Sequence, residues 1–206
     1  MMTQLRVASD GEVEQVVRLI MSAYKDYAYL ICNSEEDDVV LTRMQELARH
    51  HEPLPMSLHT VRVMSDDAGH ILGGFIAYPI VKIMQFYQSI YQALIDNGYF
   101  TTLDAPIKLS PRLMGILGAD STWMLPYANA YYLDAFTIEE HFRGKGLARP
   151  LMEYVKVRAK EEHCTSIVLL ARENKVPFYQ RLGFAKSQFL DGGIEEDFFV
   201  LHLPFA

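Results

Sequence analysis

YYLDAFTIEEHFRGKGLARPLMEYV, residues 131–155, opens as an apolar run of aromatic and β-branched residues from Tyr131 to Ile138, the composition of a buried strand. A charged turn leads into Arg143-Gly144-Lys145-Gly146-Leu147-Ala148. Beyond it, Ala148, Leu151, Met152, Val155 and Ala159 fall on one stripe of a helix. Strand, glycine loop and helix together aim free backbone N–H groups and a positive helix end at an anion, usually a phosphate. A Walker loop needs GxxxxGK[ST], but Glu139 stands five before Gly144, and Gly146 follows Lys145 where Ser or Thr is required. A dinucleotide fingerprint needs a third glycine where this chain has Arg149. Both are excluded. A basic turn that merely starts a helix is the plain alternative for so short a motif.

A second stretch follows at 165–184. TSIVLLA, residues 165–171, reads as another buried strand. Then come Arg172-Glu173-Asn174 and Val176-Pro177-Phe178-Tyr179-Gln180-Arg181-Leu182-Gly183-Phe184. Pro177 suits the first turn of a short helix, and Gly183 suits the left-handed position that ends one.

With both stretches in view, the chain resembles the GNAT superfamily of acetyl-CoA-dependent N-acetyltransferases. That family's pyrophosphate loop reads R/Q-x-x-G-x-G/A, here Arg143, Gly146 and Ala148. Its second signature is an Asn in a loop, then a Tyr on a short helix ending in Gly-Phe, here Asn174, Tyr179, Gly183 and Phe184, with a somewhat shortened Asn-to-Tyr spacing. The likeness is good over 131–190 and looser over 5–30.

The resemblance implies a fold of the α/β (α+β) class: a mixed, mostly antiparallel twisted sheet with helices on both faces. It implies acetyl-CoA as acyl donor, with no metal, and acetyl transfer to a primary amine of a small-molecule or amino-acid-like acceptor by direct attack in a ternary complex. Gly144, Lys145, Gly146, Leu147 and Ala148 would hold the diphosphate through N–H groups, with Arg143 and Lys145 adding charge-assisted contacts. Strands 131–138 and 165–171 should splay apart. Phe136, Thr137 and Ile138 would then offer backbone to the pantetheine arm, with Asn174 completing the cofactor contacts. Tyr179 takes the place of the family's general acid and Asp134 that of a strand carboxylate serving as base. The residues alone leave alternatives open: tyrosines at helical spacing are usually core, and Asp134 reads equally as a hydrogen-bonded structural carboxylate. Glu139 and Glu140 are lesser candidates for the base. A non-catalytic acyl-CoA-binding module and acetylation of a protein amine are the competing functions. Many members of the superfamily dimerise, so a homodimer is one expectation.

Bulk properties agree. The chain has 206 residues, half of them hydrophobic and 22% charged, an ordinary globular composition read as one domain over 1–206. A net charge of -7 argues against a nucleic-acid partner. Two cysteines, Cys32 and Cys164, form no framework and read as reduced thiols of a cytoplasmic protein. No stretch has the apolar length of a membrane span, and the N-terminus shows no secretory pattern. His50, His51 and His59 lack partners at metal-ligand spacing and read as a surface helix end.

Along the chain, residues 5–8 read as a strand, and Ser9 with Glu12 as a capping box. A helix then carries Val13, Val16, Val17, Ile20, Met21 and Tyr24 on one face, and a second carries Val40, Met44 and Leu47. Tyr24, Tyr27 and Tyr29 with the acidic run 35–38 form either a mouth for a cationic amine or a plain solvated loop. Residues 58–64 and 71–78 predict a hairpin, with Gly73-Gly74 marking a bulge or a close backbone approach. Residues at about 80–130 are read as a helical insertion between the third and fourth strands, a pocket wall or a packing element. Its first helix shows Ile80, Met84, Tyr87, Tyr91 and Leu94 as a stripe with a stop at Asn97-Gly98, and Ser110-Pro111 starts another. Pro150 is expected to distort the helix after the glycine loop locally. A closing hairpin turns at 191–193.

Overall fold

A computed structural model describes residues 3–51, 54–102, 121–190 and 198–205. Strands β1 (Thr3–Val7), β2 (Arg62–Asp66), β3 (Ile71–Pro79), β4 (Ala130–Ile138), β5 (Ser166–Arg172), β6 (Ala185–Leu190) and β7 (Phe198–Pro204) form one sheet in the order β1-β2-β3-β4-β5-β7-β6. Every neighbouring pair is antiparallel except β4 and β5. The helices are α1 (Val13–Cys32), α2 (Asp37–Ala48), α3 (Ile83–Asp96), α4 (Ala148–Glu161) and α5 (Val176–Gln180). The expected mixed, mostly antiparallel sheet is therefore present.

Side-chain alternation along β4 sorts the helices between the two faces. Tyr132 and Ala135 enter a core with residues of α1, α2 and α3, while Tyr131, Leu133 and Phe136 enter one with residues of α4 and α5. Val16, Val17 and Ile20 fill the first core from α1, and Leu151, Met152, Val155 and Ala159 fill the second from α4. These are the stripes the helical spacing predicts. The capping box also forms: the Glu12 carboxylate accepts from the Ser9 N–H at 2.8 Å and is gripped by both arms of Arg6 at 2.5 and 2.7 Å. Arg6 thereby lowers the Glu12 pKa to about 2.

Some sequence expectations need correcting. Strand β2 begins at Arg62, not at 58, because residues 57–61 turn around the fully buried Ser57, whose Oγ takes the Leu54 N–H at 3.1 Å and donates to its carbonyl at 2.9 Å. Helix α3 buries Ile83, Phe86, Ile90 and Leu94, while Met84 of the expected stripe is half exposed. Gln85, Gln88, Gln92 and Asp96 mark the solvent face, so the buried stripe runs through Ile83, Phe86, Ile90 and Leu94, beside the one expected; Phe86 packs edge-on against Tyr78 at 4.6 Å between ring centroids. The stop at Asn97-Gly98 is as read: Gly98 has φ +71 and Tyr99 N–H bonds back to Leu94 at 2.9 Å. The helix start at Ser110-Pro111 and the turn at 191–193 fall outside the described residues.

The paired glycines of β3 mark a close approach. A Cβ on Gly73 would stand 2.7 Å from the Thr137 carbonyl oxygen, and one on Gly74 would stand 2.7 Å from that of Arg62. The bulge lies one residue earlier, at Leu72, which the β2–β3 register skips. Since backbone cannot give way as a flexible side chain does, Gly73→Ala is expected to cost about 1–3 kcal/mol of stability, read as a lowered midpoint in urea unfolding.

Candidate active site

The site lies where β4 and β5 part. Their parallel pairing covers Ala130↔Ser166, Tyr131↔Ile167 and Tyr132↔Val168 only. Beyond Tyr132, β4 remains paired with β3 on one side, and β5 with β7 along its length. The splay that the resemblance implies is present, and it leaves the β5-facing edge of Leu133–Ile138 without a strand among the described residues.

Asp134 occupies a β-bulge. The β3–β4 register runs Ile76↔Ala135 and then Ala77↔Leu133, so Asp134 has no partner and two successive residues, Asp134 and Ala135, line the same pocket. A bulge re-aims a side chain and leaves backbone groups unpaired. Here the Tyr24 hydroxyl donates to the carbonyl oxygen of Asp134, and the Tyr78 hydroxyl donates to its carboxylate at 2.9 Å. Burial raises the Asp134 pKa to about 6, against the lowering by the Tyr78 hydrogen bond. Tyr78 is a site residue that sequence reading missed, since its partnership depends on cross-strand register.

Tyr24 reaches this point because α1 breaks there, at φ −136 and ψ 39. The nearest physical cause is Ser22, whose hydroxyl donates to the Leu19 carbonyl at 2.7 Å and competes with the helical ladder. Tyr24 and Tyr27 line the pocket together with Asp134. Tyr29 and the acidic run do not. Asp37 and Asp38 sit in the first turn of α2, a favourable place for negative charge, and Asp37 pairs with Lys25 at 3.3 Å and with the Tyr29 hydroxyl. The plain solvated reading holds for this group.

Tyr179 comes from the other face, on α5. Gly183 N–H bonds to Gln180 O at 3.0 Å, Phe184 N–H bonds to Tyr179 O at 3.2 Å, and Gly183 has φ +98. This is a Schellman closure, and its usual apolar contact is the Tyr179–Phe184 ring pair at 5.7 Å. Phe136 and Phe178 flank the same ring at 6.4 and 5.0 Å between centroids. Burial pushes the phenol up to about 12, so it stays protonated at neutral pH. Across the sheet, Tyr179 is close enough to Tyr24 and Tyr132 to help raise their pKa values, after burial itself. Tyr179 thus packs on the α4–α5 face of the sheet, while Asp134 lines the pocket on the α1–α3 face.

The glycine loop leads into α4 with Gly144 at φ +75 and Gly146 at φ +79, both with open space where a Cβ would stand. Leu147 is the N-cap and has no side-chain cap. Among the described residues, no carbonyl takes the N–H groups of Gly144, Lys145, Gly146, Leu147 or Ala148. Free donors in a concave loop at a helix start are what a diphosphate requires. Arg143 Nε donates to the Ile138 carbonyl at 3.0 Å and ties the loop to the end of β4. The Lys145 ammonium lies 4.9 Å from the centre of the Phe142 ring. Pro150 causes no break. It stands in the first turn of α4, where its missing N–H has no intrahelical partner to lose, so the expected distortion is absent. Thr137 is buried, its hydroxyl 3.4 Å from that of Ser22, and Asn174 is exposed in the 3₁₀ turn after β5. Among the described residues no cluster of metal-ligating side chains occurs, and no helix is long and apolar enough to cross a membrane.

Residues 116–195 match the family model of the acetyltransferase (GNAT) domain. That match covers less than half of the chain, and over it the protein is similar to the acetyltransferase (GNAT) domain. An N-acetyltransferase from Staphylococcus aureus Mu50 superposes with a TM-score of 0.68 at 16% identity, covering 97% of this chain and 100% of that one. A polyamine N-acetyltransferase of Drosophila melanogaster, which forms N-acetylagmatine, gives 0.61 at 15% identity over 99% and 100%. The PaiA N-acetyltransferase of Thermoplasma acidophilum, solved with coenzyme A, gives 0.53 at 11% over 100% of both chains. At these identities the shared property is the fold. No curated protein matches the sequence.

Proposed function

We propose that the protein transfers the acetyl group of acetyl-CoA to the primary amine of a small molecule, within a single domain spanning residues 1–206. The observation that carries this reading is the parting of β4 and β5 with a protonated tyrosine on one side and a bulged carboxylate on the other. The amine-acetylating neighbours agree with it.

Acetyl-CoA would supply an already activated thioester, leaving the protein to orient, to move protons and to offset charge. The N–H groups of Gly144, Lys145, Gly146, Leu147 and Ala148 would take the diphosphate, with Arg143 and Lys145 adding charge. Asn174, exposed in the turn after β5, would complete the cofactor contacts. The strandless edge at Phe136, Thr137 and Ile138 would hold the pantetheine arm as a strand neighbour does, the Ile138 carbonyl being taken by Arg143 Nε. Asp134, with a pKa of about 6, is ionised at neutral pH and basic enough to take a proton from the bound ammonium. The amine nitrogen then bonds to the thioester carbon, the carbon–sulfur bond breaks, and the sulfur leaves as thiolate. Tyr179 would meet that thiolate with its hydroxyl. Because burial makes the phenoxide costly, the hydroxyl acts by hydrogen-bonding the developing charge, and the proton released from the amine balances the one the thiol finally gains. Tyr78 positions Asp134, and Tyr24 holds the bulge that presents it.

The test is release of free thiol from acetyl-CoA across a panel of amines, alongside calorimetric titration with CoA. Saturable CoA binding and amine-dependent thiol release are expected. CoA binding without turnover on any amine would overturn the enzymatic reading in favour of a sensing module.

A further inference from the structure

The pocket beneath Asp134 describes its own occupant. It lies between α1, α2, α3 and the sheet, partly enclosed and partly open to solvent. Its walls are Ile20, Ile31, Met44, Met56, Ile76 and Ile90, together with alanine and proline. All six of these side chains are buried at 6% exposure or less. Asp134 is the sole ionisable lining group besides the phenols of Tyr24 and Tyr27, and among the described residues no Lys, Arg, His or second carboxylate lines the space.

Resting on the acetyl-transfer reading, we infer that the acceptor is a monoamine with a compact apolar body, branched alkyl or aryl, and no second charge. The ammonium would sit at Asp134 and the body against isoleucine and methionine, the latter able to adapt to varied shapes. A diamine would bring its far ammonium against this wall with no counter-charge. An amino acid would bring a carboxylate beside Asp134 with no cation to receive it. Burying such an unpaired charge is strongly unfavourable. The acidic surface run offers no remedy, because its residues are exposed at the start of α2, away from the pocket lining.

Matched pairs test this directly. n-Hexylamine and 1,5-diaminopentane have the same chain length and differ by a terminal methyl against an ammonium. 2-Phenylethylamine and phenylalanine differ by the α-carboxylate alone. In each pair kcat/KM is expected to favour the uncharged body by roughly 10²-fold or more. Met44→Glu, which places a carboxylate on the wall, should narrow the gap for 1,5-diaminopentane and leave the phenylethylamine pair unrescued. If that variant does not fold, the wild-type pairs still decide. Parity, or preference for the diamine or the amino acid, overturns the inference while acetyl transfer stands. Silence across the whole panel with CoA bound overturns acetyl transfer itself, and this inference with it.

Discussion

Tyr179→Phe should lower kcat by about 10²-fold or more while leaving the affinity for CoA within about twofold, since the phenol would act on the leaving sulfur and not on the diphosphate. The substitution keeps the ring, and the ring is what packs against Phe136, Phe178 and Phe184. Loss of stability is therefore not the expected route, and a melting temperature close to that of the native protein should accompany the loss of turnover. Steady-state kinetics with both substrates varied, plus titration with CoA, separates the outcomes. Equal weakening of CoA binding and turnover would remove Tyr179 from the chemistry and return it to the core.

The second large effect falls on Asp134. With acceptor saturating, kcat should rise with pH through about 6, where this carboxylate ionises, and then level. In Asp134→Asn that limb should vanish and kcat fall by about 10²-fold. A variant that keeps the native limb would exclude Asp134 as the base. Stability should move the opposite way. A folded-state pKa raised above the ordinary 3.8 means that folding favours the proton. Its stabilising contribution is complete below about pH 4 and is lost as pH rises through about 6. At pH 8 the native protein carries the full cost of a buried charge, and the asparagine variant should gain at most about 3 kcal/mol relative to it. Below pH 4 the difference should close. Urea unfolding of both proteins at pH 4, 6 and 8 checks the sign. A gain in stability beside a loss in activity is the pattern of a group kept for chemistry.

What the sequence disclosed and what it withheld divide along physical lines. Local patterns were legible: the stripes of α1 and α4, the stops at Gly98 and Gly183, the glycine loop, and the strands flanking the opening. Each depends on residues within a turn or two of one another. The splay of β4 from β5 was anticipated only through the family resemblance, because the pairing of 130–132 with 166–168 is set by distant segments. The bulge at Asp134 was not foreseen. It is a matter of register between β3 and β4, and a run such as Tyr131–Ile138 carries no local mark of an extra residue. Tyr78 and Tyr24 as partners of Asp134 were hidden for the same reason. The break in α1 contains neither proline nor glycine and arises at a serine, a weaker signal. Helix α3 was legible too, since Gln85, Gln88, Gln92 and Asp96 mark its solvent face, and the stripe through Met84 was placed beside the buried one.

The brevity of the β4–β5 seam has a mechanical side. Four strands stand on one side of it and three on the other, joined rung to rung at three residue pairs. The sheet behaves as two panels with a shared spine at one end and a gape at the other. On the proposed reading, an elongated donor lying in that gape supplies the rungs the chain omits, so that substrate serves for the length of one turnover as a structural member of the protein.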